Sequence, residues 1–182
     1  MTTALVLIDL QNDYFPGGAM ELVGVDAAVA RAAALLEAFR GKSLPVVHVR
    51  HIAAKPGATF FLPGTAGAEI HAAVTPGAGE TVLTKHFPNA FRETALLEHL
   101  RGIGATHLVI AGMMTHMCVD TSVRAAADLG FACSLAHDAC ATRDLQFGGT
   151  TVGAAQVQVA YLAGLNGAFA AVKSAEELCA AL

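Results

Sequence analysis

The thiol of Cys118 stands in the stretch 112–120, Gly-Met-Met-Thr-His-Met-Cys-Val-Asp, where a hydrophobic run gives way to a helical pattern. A helix start offers unpartnered N–H groups and a partial positive charge. A thiol placed there is expected to shift toward thiolate, the form that attacks electrophilic carbon. Two other hydrophobic runs end in a single charged residue. Ala4-Leu5-Val6-Leu7-Ile8 ends in Asp9, and Thr81-Val82-Leu83-Thr84 ends in Lys85. A carboxylate at the end of a buried strand is suited to take the thiol proton and return it to a leaving group. An ammonium beside both would stabilise the thiolate and fix the protonation state of the carboxylate.

Each residue also has an ordinary reading. Asp9 can cap a loop, since Asn12 and Asp13 mark a turn-prone region. Lys85 can run its stem along apolar surface to solvent. Cys118 can be a small buried hydrophobe. Locally, Gly112 gives the backbone freedom, Thr115 is available as an N-cap, and N–H groups of the turn could receive an oxyanion. A nucleophile, a base and a cation at neighbouring strand ends compose a hydrolase site, and together they outweigh the three separate readings.

Such a site needs strands that deliver these residues to one edge. Residues 4–8 read as a buried strand, 25–40 as an amphipathic helix stopped by Gly41, and 45–50 as a second strand. The segment 51–79 carries several Gly and Pro residues and few regular signals, as functional loops do. Strand 81–84, a helix around 93–101 and strand 106–111 follow. Helix 117–129 ends at Gly130, a suitable C′ residue. Strand 131–136, helix 151–165, strand 168–172 and a helix from Ala175 complete the pattern; Ser174 and Glu177 form a capping-box signature. Six strands alternating with helices predict an α/β fold, a Rossmann-like three-layer αβα sandwich with a mainly parallel six-stranded sheet. Ligands of such sheets bind beyond the C-terminal strand edges. No repeat or linker divides the chain, so residues 1–182 are expected to form one domain. The glycines at 148, 149 and 153 do not follow the first strand, and those at 102 and 104 precede a strand; both sets read as loop glycines rather than phosphate-binding ones.

The chain has 182 residues, 54% of them hydrophobic and only 14% charged, with a formal net charge of −4. That balance excludes a disordered chain and gives no electrostatic footprint for nucleic acid or an anionic membrane. Apolar runs fall well short of a membrane span, and Asp9 interrupts any signal-peptide pattern, so a cytoplasmic location is expected. The four cysteines, Cys118, Cys133, Cys140 and Cys179, include no Cys-x-x-Cys pair and are expected to be free thiols. Of these, only Cys118 has a location that argues for reactivity.

Three segments carry a more specific similarity: 6–15 (Val-Leu-Ile-Asp-Leu-Gln-Asn-Asp-Tyr-Phe), 84–91 (Thr-Lys-His-Phe-Pro-Asn-Ala-Phe) and 112–119, continuing through Arg124-Ala125-Ala126. In order, spacing and context the chain resembles the isochorismatase-like cysteine hydrolase family, which includes nicotinamidase and N-carbamoylsarcosine amidase. The resemblance implies a catalytic triad of Asp9, Lys85 and Cys118. It also implies a cis peptide between Met113 and Met114, and an oxyanion hole from the N–H groups of Met114 and Cys118. A homo-oligomer, dimer or tetramer, is the family's usual state.

Two departures narrow the expectation. Nicotinamidases carry an Asp-x-His metal motif after the second strand, where this chain reads His48-Val49-Arg50-His51-Ile52. No carboxylate follows to partner these histidines, so no metal or other cofactor is expected. Isochorismatases proper cleave a vinyl ether and lack the cysteine, so Cys118 favours acyl chemistry. The pocket is expected to be lined by Gln11, Tyr14, Phe15, Phe60, Phe61, Phe87, Phe91 and Met114, with His51 and His116 hydrogen-bonding a small substrate. The resulting expectation is hydrolysis of a small amide or carbamoyl compound through a thioester. Its rivals are vinyl-ether hydrolysis with Asp9 as acid, and a non-catalytic oligomer whose Cys118 senses oxidants.

Overall fold

The computed structural model describes residues 2–182. Strands β1 (Thr2–Ile8), β2 (Val46–His51), β3 (Thr81–Lys85), β4 (Ala105–Met113), β5 (Ala132–Ala141) and β8 (Ala171–Lys173) form a six-stranded sheet in the order β3-β2-β1-β4-β5-β8. Every neighbouring pair is parallel. The order runs one way from β1 to β3 and the other way from β4 to β8. The switch point therefore falls between β1 and β4, where such sheets open a crevice at their carboxyl edge.

The alternation of β1 shows how the layers form. Leu5 and Leu7 pack with Leu35, Leu36 and Phe39 of α1 (Val25–Gly41) and with Leu178 of the last helix, α5 (Ala175–Ala180). Ala4, Val6 and Ile8 face the other way, joining Leu96 and Leu100 of α2 (Leu96–Gly102), Val123 of α3 (Asp120–Asp128) and Leu165 of α4 (Ala154–Leu165). A strand buried on both faces needs apolar side chains at successive positions, and β1 has them from Ala4 to Ile8. Ser174 and Glu177 do form the reciprocal cap of α5. Among the described residues, no helix is long and apolar enough to cross a membrane.

Several boundaries differ from the sequence reading, the expected strand 168–172 among them, which is confined to Ala171–Lys173. The expected helix 151–165 gives up its first residues to a hairpin of β6 (Leu145–Phe147) and β7 (Thr150–Val152). Gly148 and Gly149, both at positive φ, supply its two-residue turn. Strand β5 runs past His137 and Asp138 to Ala141, taking Cys140 into the sheet. The expected helix 117–129 begins instead as a single π turn over Thr115–Val119, with α3 following at Asp120. Thr115 is not the N-cap: its hydroxyl donates to the carbonyl of Ala141.

Gly112 is required by contact as well as conformation. Its φ is 137°, and a Cβ there would overlap the backbone of Ile8, its register partner across the switch point. Gly112→Ala is therefore expected to lower stability by about 3 kcal/mol, read as a reduced midpoint in urea unfolding. A change within about 0.5 kcal/mol would show that β1 and β4 are not so tightly joined in solution.

Candidate active site

The carboxyl edge of the sheet collects the three charged or nucleophilic residues singled out by the sequence. Asp9 follows β1 and adopts φ 51°, a left-handed conformation that aspartate tolerates better than most residues. Its N–H bonds the carbonyl of Val49 at 2.8 Å, which anchors the turn to β2. Lys85 closes β3 in register with His51. Cys118 lies within the π turn that follows β4, where the N–H of Val119 reaches back to the carbonyl of Met114 at 3.2 Å. Such turns place a side chain out of ordinary helical phase and recur at functional sites.

These residues meet in a buried cluster. Asp9 and Lys85 are both 0% exposed, and their ion pair spans 2.7 Å from Oδ2 to Nζ. Apart from this ammonium, neither Asp9 oxygen has a partner among the described residues. Lys85 Nζ also donates to Cys118 Sγ at 3.2 Å and lies 3.1 Å from His51 Nδ1. An ammonium can only donate, so Nδ1 is the acceptor and the His51 proton resides on Nε2. Burial opposes the charge on Lys85, but Asp9 and Cys118 outweigh it and hold its pKa above the ordinary lysine value. Burial and the Lys85 ammonium push His51 down to about 4, so its ring is neutral at physiological pH.

The thiol departs from the sequence expectation. Burial pushes the Cys118 pKa well above that of a free cysteine and the Asp9 carboxylate adds to the rise, with Lys85 opposing. Desolvation outweighs the helix-start effect, so the resting sulfur is a thiol facing a carboxylate. Alkylation of Cys118 by iodoacetamide, followed by peptide mass spectrometry, is expected to accelerate continuously beyond about pH 9. A plateau near neutral pH would instead mean that thiolate prevails at rest.

Of the three residues, only Cys118 lines the adjoining cavity of about 530 Å³. Tyr14, His51, Phe60, Phe61 and Met114 line it as expected, with Phe60 and Phe61 belonging to a wall formed by residues 53–61. The Met113–Met114 peptide is cis. Five expected residues lie elsewhere. The Gln11 side chain is wholly buried and holds backbone together, donating to His51 and Ala68 carbonyls and accepting from the His51 N–H. Phe15 stacks on His71, Phe87 lies beneath the Arg92 guanidinium, and Phe91 stacks with Phe131. His116 is likewise outside the cavity: its Nδ1 meets the Thr142 hydroxyl at 2.6 Å, and its ring lies edge-on to Tyr161. Met20, His86, Met117 and Arg143 line the cavity without having been expected there.

His48 faces away from this cluster, toward Glu80 at 2.8 Å, and Glu80 is paired in turn with Arg40 at 2.7 Å. The sequence reading found no carboxylate for His48; the fold supplies one from 32 residues downstream. Arg40, burial acting against it, a backbone N–H and His48 together hold Glu80 at about 2. No group of three or more metal-ligating side chains is found among the described residues.

A doubly wound α/β protein with a buried thiol, ammonium and carboxylate at its switch point is the class that this geometry defines. Residues 3–177 match the Isochorismatase domain, and the chain belongs to that family. It is 48% identical to the uncharacterised isochorismatase family protein YddQ of Bacillus subtilis, over 97% of this chain and 98% of YddQ. Maleamate amidohydrolase of Pseudomonas putida is 34% identical, over 70% of this chain and 67% of that protein. A crystal structure from Oleispira antarctica, assigned to the isochorismatase hydrolases, superposes with a TM-score of 0.95 at 53% identity, covering 98% of this chain and 96% of the other.

Proposed function

We propose that this chain is a cysteine-dependent hydrolase of a small amide or carbamoyl compound. The observation that carries the reading is the thiol of Cys118 at a cavity wall, backed by a buried carboxylate and ammonium with no other solvent-facing role. Similarity to an enzyme named for amide hydrolysis supports the same chemistry.

In this mechanism Asp9 takes the Cys118 proton as sulfur attacks the carbonyl carbon, and the carbonyl electrons move to oxygen. Backbone N–H groups of Met114 and Cys118 receive that oxyanion. The oxyanion collapses, the C–N bond breaks, and the Asp9 carboxyl protonates the departing nitrogen. Water then gives a proton to Asp9 and attacks the thioester; the C–S bond breaks and the thiolate recovers its proton. The thiolate appears only while bonding to carbon is under way, which suits a resting sulfur whose pKa is raised. Lys85 balances the negative charge as it passes between oxygen and sulfur. Neutral His51 offers its Nε2–H to a polar group of the substrate.

A panel of primary amides and carbamoyl compounds, incubated with protein and quenched in acid, tests the reading. Intact-protein mass spectrometry should show an acyl adduct that maps to Cys118. Turnover without any adduct, and unaffected by removal of the sulfur, would exclude covalent catalysis.

A further inference from the structure

Asp13 is buried, and its carboxyl group meets backbone rather than a cation. Oδ2 accepts from the Phe61 N–H at 2.6 Å and Oδ1 from the Ala19 N–H at 3.2 Å, while its carbonyl accepts from the Met20 N–H at 2.8 Å. A further segment closes the socket: a Cβ on Gly67 would fall on the Asp13 carboxylate. A carboxylate withdrawn from water in this way is tolerated only where hydrogen bonds offset its desolvation.

The segments gathered by this socket shape the active cavity. Neither Asp13 nor Gly67 lines it, but Tyr14, Met20, Phe60 and Phe61 do. Phe61 has φ 54°, a left-handed conformation that a bulky side chain rarely adopts, so its surroundings must impose it. Asp13 holds the Phe61 N–H, and the Phe61 carbonyl accepts from the Ala53 N–H at 2.9 Å. The two ends of the wall 53–61 are thus joined and pinned at one point. From there the Phe61 ring meets Tyr14 edge-on at 4.7 Å between centroids and lies 4.9 Å from Phe60 and 6.0 Å from His51.

We propose that Asp13 is a positioning residue: without touching a ligand, its carboxylate fixes the Phe60–Phe61 wall and so selects what rests beside Cys118. The inference goes beyond the amidase reading, since it concerns any molecule that the sulfur attacks.

The test compares alkylation of Cys118 by iodoacetamide and by iodoacetanilide, which carry the same reacting group and differ by a phenyl ring. Rates are followed by peptide mass spectrometry, and the anilide-to-amide ratio is compared with that of glutathione. The wild-type ratio is expected to exceed glutathione's by about tenfold, the ring resting against the fixed wall. Asp13→Ala should return it to glutathione's value while the iodoacetamide rate stays within about twofold, because Asp9, Lys85 and Cys118 are held by the sheet. Gly67→Ala keeps the carboxylate but displaces it, and should act likewise. Asp13→Asn keeps one acceptor oxygen and should retain part of the preference. Leu178→Ala, a core truncation in α5, should lower stability and leave the ratio unchanged.

A wild-type ratio equal to glutathione's overturns the proposal. So does a preference retained in Asp13→Ala, or in Gly67→Ala where the former does not fold. Equal acceleration of both reagents, or a loss shared by Leu178→Ala, also overturns it, because either would reflect general loosening of the fold. No turnover enters the comparison, so failure of the amidase reading leaves its outcome intact.

Discussion

Cys118→Ala is expected to lower kcat/KM on any amide that the wild type hydrolyses by about ten-thousandfold or more, and to abolish the acyl adduct. The size follows from the role: the sulfur forms and breaks the bond to carbon, and nothing else lining the cavity has comparable nucleophilicity. Its cost in stability should be small, about 1 kcal/mol, because alanine removes one polarisable atom from a site that opens onto a cavity. Unchanged urea unfolding together with lost turnover would thus separate chemistry from folding. Cys118→Ser should also be severely impaired. A hydroxyl is a weaker acid than the thiol, so Asp9 would have to extract a more tightly held proton. Substantial activity in the alanine variant would revive hydrolysis with Asp9 as acid and the cysteine as bystander.

The second large effect concerns the buried pair. Asp9→Asn leaves the Lys85 ammonium with no exposure and no opposite charge, a situation that costs about 3–5 kcal/mol. Lys85→Met strands the Asp9 carboxylate in the same way. Combining the two removes both charges, so the double variant should recover most of the stability lost by either single one. Activity should not follow. All three variants are expected to be inactive, because the double variant has regained a neutral core but no group to carry the proton. Urea unfolding of the four proteins gives the coupling energy, and kcat/KM gives the functional half. Single variants within about 1 kcal/mol of wild type would mean that the charges do not face each other in solution.

The parts of the fold and site legible from sequence are those fixed by strong local patterns. The run 4–8 reads as a buried strand, which places the residue after it at a sheet edge. The same logic located Lys85 and Cys118. It missed Arg143 because His137 and Asp138 made strand 131–136 seem finished; β5 in fact continues to Ala141, and Arg143 lies just past its true end. The Gly148-Gly149 turn was a legible hairpin signal, obscured because β6 and β7 are only three residues each. Gln11, Phe15 and Phe87 were assigned to the pocket from their place in loops near the edge. Whether a loop side chain faces a cavity or ties backbone together depends on contacts with distant segments, such as those joining Gln11 to His51 and Ala68. The thiol's protonation state was equally hidden. Helix position is local, but the burial that dominates it is created by the whole fold.

The wall formed by residues 53–61 belongs to the connection after β2, whereas the sulfur, carboxylate and ammonium are tied to the sheet framework. Selection can therefore redraw what is admitted, by mutation, insertion or loop exchange, without disturbing the atoms that cleave. Descendants of one ancestor could diverge widely in diet while keeping the same scissors, and a chimera carrying a neighbour's wall should inherit the neighbour's tastes.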